Sequence, residues 1–370
     1  MKKTTVPVSQ FSQPAASAYG KIQGSSVISV YPLNSGIGVY AHRLFNLGLH
    51  EELAMFKING SYPEDGFDRV VKYRFNPNGL VTLFSTRFRS RWSDYALSRS
   101  LLHISSPDWF HMIKYNGCVY GTVHDIFVTM HPEWFTLSYR MYFKREMEFA
   151  EKLKGVIAVS RFTQKLLGEA FPDVNTSVIH NWTEREFTQR DRVSARQKLG
   201  LPVDKTIVLS VGSNLPRKNS KIIPKIMEGL DSDFMLVRLE PFSFLDRNGG
   251  SIDGLIEGSR MVIKREVPLK LIPFYYNAAD SLIAPSIEEG FDYPVIEAIN
   301  SNIPVVASDI EVHREIMMNR GHFADPFNPD QWAEEIMKAA DDKDPWPGFG
   351  DYYREERALS EYLKFYGGVS

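Results

Sequence analysis

The chain has a single cysteine, Cys118, so no disulfide can form within it, and the sequence points to a reducing compartment and a cytoplasmic location. No apolar run approaches the ~18 to 20 residues that a membrane-spanning helix needs. The first 26 residues lack the apolar stretch of a secretory signal and read as a loose polar arm. Neither sign of charge dominates: 43 Lys and Arg against 45 Asp and Glu leave a net charge of −2, and no nucleic-acid partner is expected. Short repeats and low-complexity tracts are missing too, which argues against a solenoid. What remains is the profile of a soluble enzyme, 43% hydrophobic and 24% charged. At 370 residues it is too long for one hydrophobic core, so two domains are expected.

Charge is unevenly divided along the chain. Residues 1–185 carry 21 Lys and Arg against 15 Asp and Glu, and residues 186–370 carry 22 against 30. The basic half gathers Lys72, Arg74, Arg87, Arg89, Arg91 and Arg99 among Phe84, Phe88, Trp92 and Tyr95. Such a stretch suits a solvated helix face, the favoured reading, or peripheral contact with anionic lipid headgroups or an acceptor phosphate.

Apolar runs of strand length alternate with helical patterns, the mark of βα units and mainly parallel sheets. Strands are expected at 27–31, 101–104, 119–123, 156–159 and 177–180, with helices over 39–49 and 162–171, the second capped by Ser160. The polar stretch 182–205 reads as a linker. Strands at 206–212, 234–239, 261–263, 281–284 and 305–307 then start a second sheet. The fold class is therefore α/β, with doubly wound domains at 1–185 and 186–350. A C-terminal helical segment, 351–370, follows, and its return to the N-terminal domain is left open.

The richest segment runs from Pro285 to Ser308. A strand ends at Ala284, a glycine-bearing loop follows, and Pro294 stands where a first helical turn tolerates it. A helix N-terminus beyond the carboxyl end of a strand binds phosphate through free N–H groups and the helix dipole. Gly290 lets backbone approach a ligand, and Glu289 and Glu297 are placed to accept hydroxyl hydrogen bonds. The bland alternative is a carboxylate pair stabilised by the dipole. Upstream, Gly212 permits a tight turn after a strand, and Arg217 and Lys218 behind it are suited to neutralise a diphosphate, although a surface basic pair is commoner in general.

In this segment Glu289, Gly290, Phe291, Pro294, Glu297 and Ala298 fall in the register of the Glu-seven-Glu donor signature, and the chain resembles the retaining GT-B glycosyltransferases of family four, the glycosyl transferases group 1. The Arg217-Lys218-Asn219 element resembles that family's diphosphate-binding cations, Ser35-Gly36-Ile37-Gly38 its N-terminal glycine loop, and His124-Asp125 its His-Asp pair. The resemblance implies two Rossmann-like domains facing each other across a cleft, with the donor bound between them. It also implies retaining, metal-independent transfer of a hexose from a UDP- or GDP-sugar to a hydroxyl acceptor, lipid-linked acceptors included. Within it, Glu289, His124, Arg217 and Lys218 are the candidate catalytic residues. Gly36, Gly38, Gly212, Gly290, Phe291 and Glu297 are the candidate donor-binding residues, Glu297 on the ribose. No cofactor and no metal are expected. His103, His111, His124 and His131 follow no zinc spacing.

Departures from the pattern are Asp292-Tyr293 for the commoner Gly-Leu, Asn302-Ile303 before Pro304, and Ser213 where an arginine is often found. The first two point to a donor different from that of the best-known members, and the third leaves phosphate neutralisation to Arg217 and Lys218. Two other functions share the features: a sugar-nucleotide-binding subunit without transfer, and a nucleotide-sugar epimerase, which lacks the Glu-seven-Glu register.

Overall fold

A computed structural model of the chain describes residues 20–33, 35–58, 65–73, 91–240, 260–265, 267–349 and 352–367. They form two compact units. One comprises the residues up to His180 together with Ala358 onward, and the other Asn181–Arg357. The division lies a few residues before the boundary read from sequence, at the end of the strand rather than in the polar stretch behind it. The last segment, from Ala358, belongs to the first unit.

The first unit is built on a parallel sheet. Its strands are β1 (Ser25–Ser29), β2 (Glu52–Ile58), β3 (Arg69–Tyr73), β4 (Leu101–Ile104), β5 (Val119–Val123), β6 (Gly155–Ala158) and β7 (Thr176–Val178), in spatial order β3-β2-β1-β4-β5-β6-β7. The chain lays strands outward from β1 in one direction and then, starting with β4, in the other. This reversal is the topological switch of a doubly wound sheet. Ile28, Phe56, Leu102, Trp109, Phe110 and Val156 are among the buried residues of its core.

The second unit repeats the plan. Strands β8 (Thr206–Val211), β9 (Phe234–Glu240), β10 (Met261–Arg265), β11 (Ser281–Ala284), β12 (Val305–Ser308) and β13 (His322–Ala324) lie in order β10-β9-β8-β11-β12-β13. All of these strands pair in parallel. Strands β9, β11 and β12 are buried throughout, which accounts for their nearly continuous apolar sequences. The switch lies between β8 and β11, which pair through Ser281–Val208, Leu282–Leu209 and Ile283–Ser210. Ligands of such sheets bind outside the carboxyl ends of the strands at the switch.

The C-terminal helix, Glu355–Phe365, brings Tyr362 into the first unit, and Tyr366 follows it there. Tyr366 lies between His50 Nε2 (3.0 Å) and His103 Nδ1 (2.8 Å), His103 Nε2 meets Thr122 Oγ1 (2.8 Å), and Tyr40 joins Thr122 (2.6 Å) to Tyr362 (2.5 Å). Two orders of donation with neutral groups satisfy the series, running from His50 through Tyr366, His103, Thr122 and Tyr40 to Tyr362 or in the reverse sense. Burial favours the neutral forms both orders need, lowering His50 to about 3 and His103 well below its usual value and raising Tyr366 well above its own.

Candidate active site

In the second unit the loop after β8 and the loop after β11 meet at the switch. Beyond Gly212 the chain makes a single 3-10 turn, Pro216–Lys218, which ends on Asn219 in the left-handed region (φ 50°). The Asn219 side chain donates to the Pro326 carbonyl (2.7 Å) and anchors the turn. The two loops are joined by Ile287 N–H donating to the Arg217 carbonyl (2.8 Å).

This junction brings Arg217, Lys218 and Glu289 together. Arg217 Nη1 lies 2.6 Å from Glu289 Oε2, and Lys218 Nζ lies 2.6 Å from Glu289 Oε1 and 3.2 Å from Asp292 Oδ1. The Glu289 and Asp292 side chains are only 4% and 3% exposed, against 24% for Arg217, so the cations are nearer to solvent than the acids that hold them. Burial by itself would lower the Lys218 pKa, but the charges of Asp292 and Glu289 outweigh it and raise the value. Burial would likewise raise Asp292, yet Lys218 and then His313 hold its carboxyl down to about 2. Lys218 has three N–H donors, and Glu289 and Asp292 engage two of them.

Gly212, Ser213, Lys218, Ser286 and Asp292 line a pocket here, with Arg238 at its floor. Arg238 stands on β9 and is 2% exposed. Its guanidinium donates to Ser210 Oγ (2.8 Å), Glu240 Oε1 (3.1 Å), the Gly212 carbonyl (3.2 Å) and Asn214 Oδ1 (3.0 Å). It thus fixes the glycine turn from below. Nothing in the sequence singled it out, because β9 reads as an ordinary apolar strand.

The helix behind the second loop is Tyr293–Asn300, with Asp292 as N-cap and Pro294 in its first turn, one residue earlier than the start expected at Pro294. Gly290 is buried, and the Phe291 ring packs edge-on against Tyr353 at 6.3 Å between centroids. Glu297, one helical turn into the protein, accepts a hydrogen bond from Tyr276 OH (2.7 Å) and is 8% exposed. Its register is that of the signature, while Tyr276 is a partner that sequence spacing does not suggest.

His124, Gly36 and Gly38 belong to the first unit. Gly36 and Gly38 do not form the loop expected from sequence: they open the helix Gly36–Asn46, whose N-cap Ser35 accepts from Gly38 N–H (3.0 Å). The Ser35 cap draws the helix start ahead of the expected residue 39. A Cβ at residue 38 would stand 1.9 Å from the Pro32 carbonyl oxygen, whereas one at residue 36 meets nothing within 4 Å. His124 follows β5, and its Nε2–H donates to the Ser105 carbonyl beyond β4 (2.9 Å). Tyr40 packs edge-on against it at 4.7 Å. Burial lowers His124 to about 4, the Ser105 hydrogen bond opposing only in part. The ring is therefore neutral, with its Nδ1 an acceptor.

The basic aromatic stretch is only partly placed. Arg74, Phe84, Arg87, Phe88 and Arg89 lie outside the described residues, as do the side chains of Arg91 and Trp92. Tyr95 is 5% exposed and donates to Glu52 (2.5 Å), while Arg99 pairs with the same carboxylate (2.6 Å). These two side chains are committed to the sheet's edge rather than to a solvated or lipid-facing surface. Among the described residues no helix is long and apolar enough to cross a membrane, and no cluster of three or more His, Cys, Asp and Glu is suited to a metal ion.

Residues 251–342 match the family model for glycosyl transferases group 1. The chain is 26% identical to the O-antigen chain mannosyltransferase RfbU of Salmonella typhimurium over 235 residues, covering 62% of this chain and 63% of that protein. It is 26% identical to the O-antigen chain mannosyltransferase B of Escherichia coli over 245 residues, covering 61% of each. The chain thus spans less than two thirds of the length of these relatives. Among solved structures, Anabaena Alr3699/HepE in complex with UDP and glucose superposes with a TM-score of 0.75 at 14% identity, over 93% of this chain and 99% of that one. Sucrose-phosphate synthase from Thermosynechococcus elongatus gives 0.67 at 18% identity, over 92% and 96%. The chain has the GT-B fold, and its residues 251–342 are similar to the glycosyl transferases group 1. The matched residues 251–342 contain the loop after β11 and its helix, while Arg217, Lys218 and the unit that carries His124 lie outside the match.

Proposed function

We propose that this chain is a group 1 glycosyl transferase that moves a hexose from a nucleoside diphosphate sugar to a hydroxyl acceptor, with retention of anomeric configuration and without a metal ion. The observation that carries the reading is the placement of Arg217 and Lys218 at the β8/β11 switch, beside the N-terminus of the Tyr293–Asn300 helix. When the C1–oxygen bond to the β-phosphate breaks, negative charge grows on that phosphate and positive charge on the sugar ring. Arg217, Lys218 and the helix N-terminus stabilise the first, and Glu289 holds sugar hydroxyls and favours the second. The acceptor hydroxyl attacks C1 from the face the phosphate leaves, and its proton passes to the departing phosphate oxygen. Glu297 serves the nucleotide ribose. His124, neutral and with an accepting Nδ1, is suited to a hydroxyl of the sugar or acceptor.

Two relatives are named as mannosyltransferases and one structural neighbour was solved with UDP and glucose, so mannose and glucose are the first sugars to try. Release of nucleoside diphosphate from a panel of UDP- and GDP-sugars, with and without EDTA, tests the reading. Turnover of at least one donor that survives chelation is expected. Binding without release would instead fit a sugar-nucleotide-binding subunit. Loss on chelation, restored by Mg²⁺ or Mn²⁺, would mean that a metal ion, and not Arg217 and Lys218, neutralises the leaving diphosphate.

A further inference from the structure

We propose that Asp292 is a donor-specificity residue, a second carboxylate beside Glu289 that admits neutral sugars and rejects donors whose sugar carries a carboxylate. The proposal rests on the donor reading above. Asp292 stands where the resembling signature commonly has glycine, and its side chain behaves unlike that of an ordinary cap. An aspartate at the N-cap normally accepts hydrogen bonds from the N–H groups of the helix's first turn. Here it makes no such side-chain bond. Pro294 has no N–H to offer, and Val295 N–H goes to the Asp292 carbonyl (3.2 Å). The carboxylate is turned instead toward the pocket it lines, where it meets Lys218 Nζ (3.2 Å) and His313 Nε2 (3.2 Å).

His313, on the helix Glu311–Ile316 and fully buried, also faces the Ser308 carbonyl with its Nδ1 (3.0 Å). Both of its ring nitrogens thus face oxygen atoms, which fixes the ring behind Asp292. Arg217 and Lys218 stand against Glu289 and Asp292, so the two cations are already matched by two carboxylates before a ligand enters. Lys218 is clasped by two ionised carboxylates, so a sugar attached to a phosphate at Lys218 comes up against both. Sugar hydroxyls donate to carboxylates. A uronate carboxylate at this range, in a partly buried pocket, meets like charge worth at least about tenfold in an equilibrium constant. His313 lies behind Asp292 and tempers its field without touching the ligand, which makes it a positioning residue.

The two side chains are therefore expected to act in opposite directions. Calorimetry would compare UDP-glucose with UDP-glucuronate and GDP-mannose with GDP-mannuronate on the parent, Asp292→Asn and His313→Gln, each verified as folded by its thermal transition. The parent is expected to favour the neutral sugar by at least about tenfold. Asp292→Asn should reduce that ratio about tenfold, with UDP or GDP alone bound no more weakly than by the parent, because a negative charge near the diphosphate has gone. His313→Gln should raise the ratio, since the carboxylate loses the imidazole that holds it from behind. A purely structural pair would shift both variants the same way, and that outcome, or an Asp292→Asn ratio equal to the parent's, overturns the proposal. A parent that binds none of the four nucleotides refutes the donor reading itself.

Discussion

Lys218 is joined to two acids, yet each acid has a second partner: Glu289 has Arg217, and Asp292 has His313. Lys218→Ala therefore leaves neither carboxylate without a partner, and the variant is expected to fold. Because charge on the leaving phosphate grows in the transition state, kcat should fall about 10²- to 10³-fold while the dissociation constant of the sugar nucleotide changes much less. Single-turnover rates beside calorimetry would show it, and normal turnover would dismiss Lys218 from the mechanism. Arg217, Lys218 and Glu289 were legible in the sequence because each belongs to a short motif. Asp292 was legible only as a departure from pattern, and its pairing with His313 was not legible at all, since 21 positions separate the partners. Arg238 left no sign, because its partners are two carbonyls and three side chains assembled only by the turn it supports.

Among the secondary elements, the two glycines after β1 make separate demands. At residue 38 any Cβ collides with the Pro32 carbonyl, so Gly38→Ala forces the helix Gly36–Asn46 away from its preceding turn. A loss of about 1 to 3 kcal/mol is expected. Gly36 has open space around it, and Gly36→Ala should leave stability unchanged or raise it by up to about 1 kcal/mol. Thermal unfolding of the two variants decides, and equal stability would mean that the close approach is relieved at no cost. Most central strands could be read from their apolar runs, but β2 and β3, like the short edge strand β13, went unread. The first interrupts its apolar residues with Glu52 and Lys57, and Lys57 is buried all the same. The second is a five-residue edge strand with arginine and lysine in it, and charge on an edge strand is a common guard against aggregation that weakens the sequence signal.

For the molecule as a whole, the two units should respond differently to acid. His50, His103 and His124 titrate below their ordinary value of about 6.5 when the first unit is folded. Between pH ~6.5 and ~4 the unfolded chain binds protons that the folded unit refuses, so stability falls as pH falls, by up to about 1.4 kcal/mol per pH unit for each histidine. Asp292 in the second unit has the same sign but a lower pH window. Its folded value near 2 contributes stability that is complete above about 3.9 and is lost only as pH drops from there toward 2. Hydrogen exchange between pH 7.5 and 4.5 should therefore show β4 and β5 losing protection while β8 and β11 keep theirs. Simultaneous loss in both sheets would contradict this.

The same buried histidines bear on how the polypeptide is made. His50 and His103 receive their shared partner from Tyr366, which is synthesised only after all of Asn181–Arg357. At the usual ~5 to 20 residues per second of translation, those 177 residues occupy the ribosome for roughly 9 to 35 s. Throughout that interval His50 Nε2 and His103 Nδ1 of the nascent first unit lack the hydroxyl that joins them in the folded chain. The second unit, contiguous in sequence, is free to fold as it emerges, so the half of the protein that is begun first is the half that is finished last.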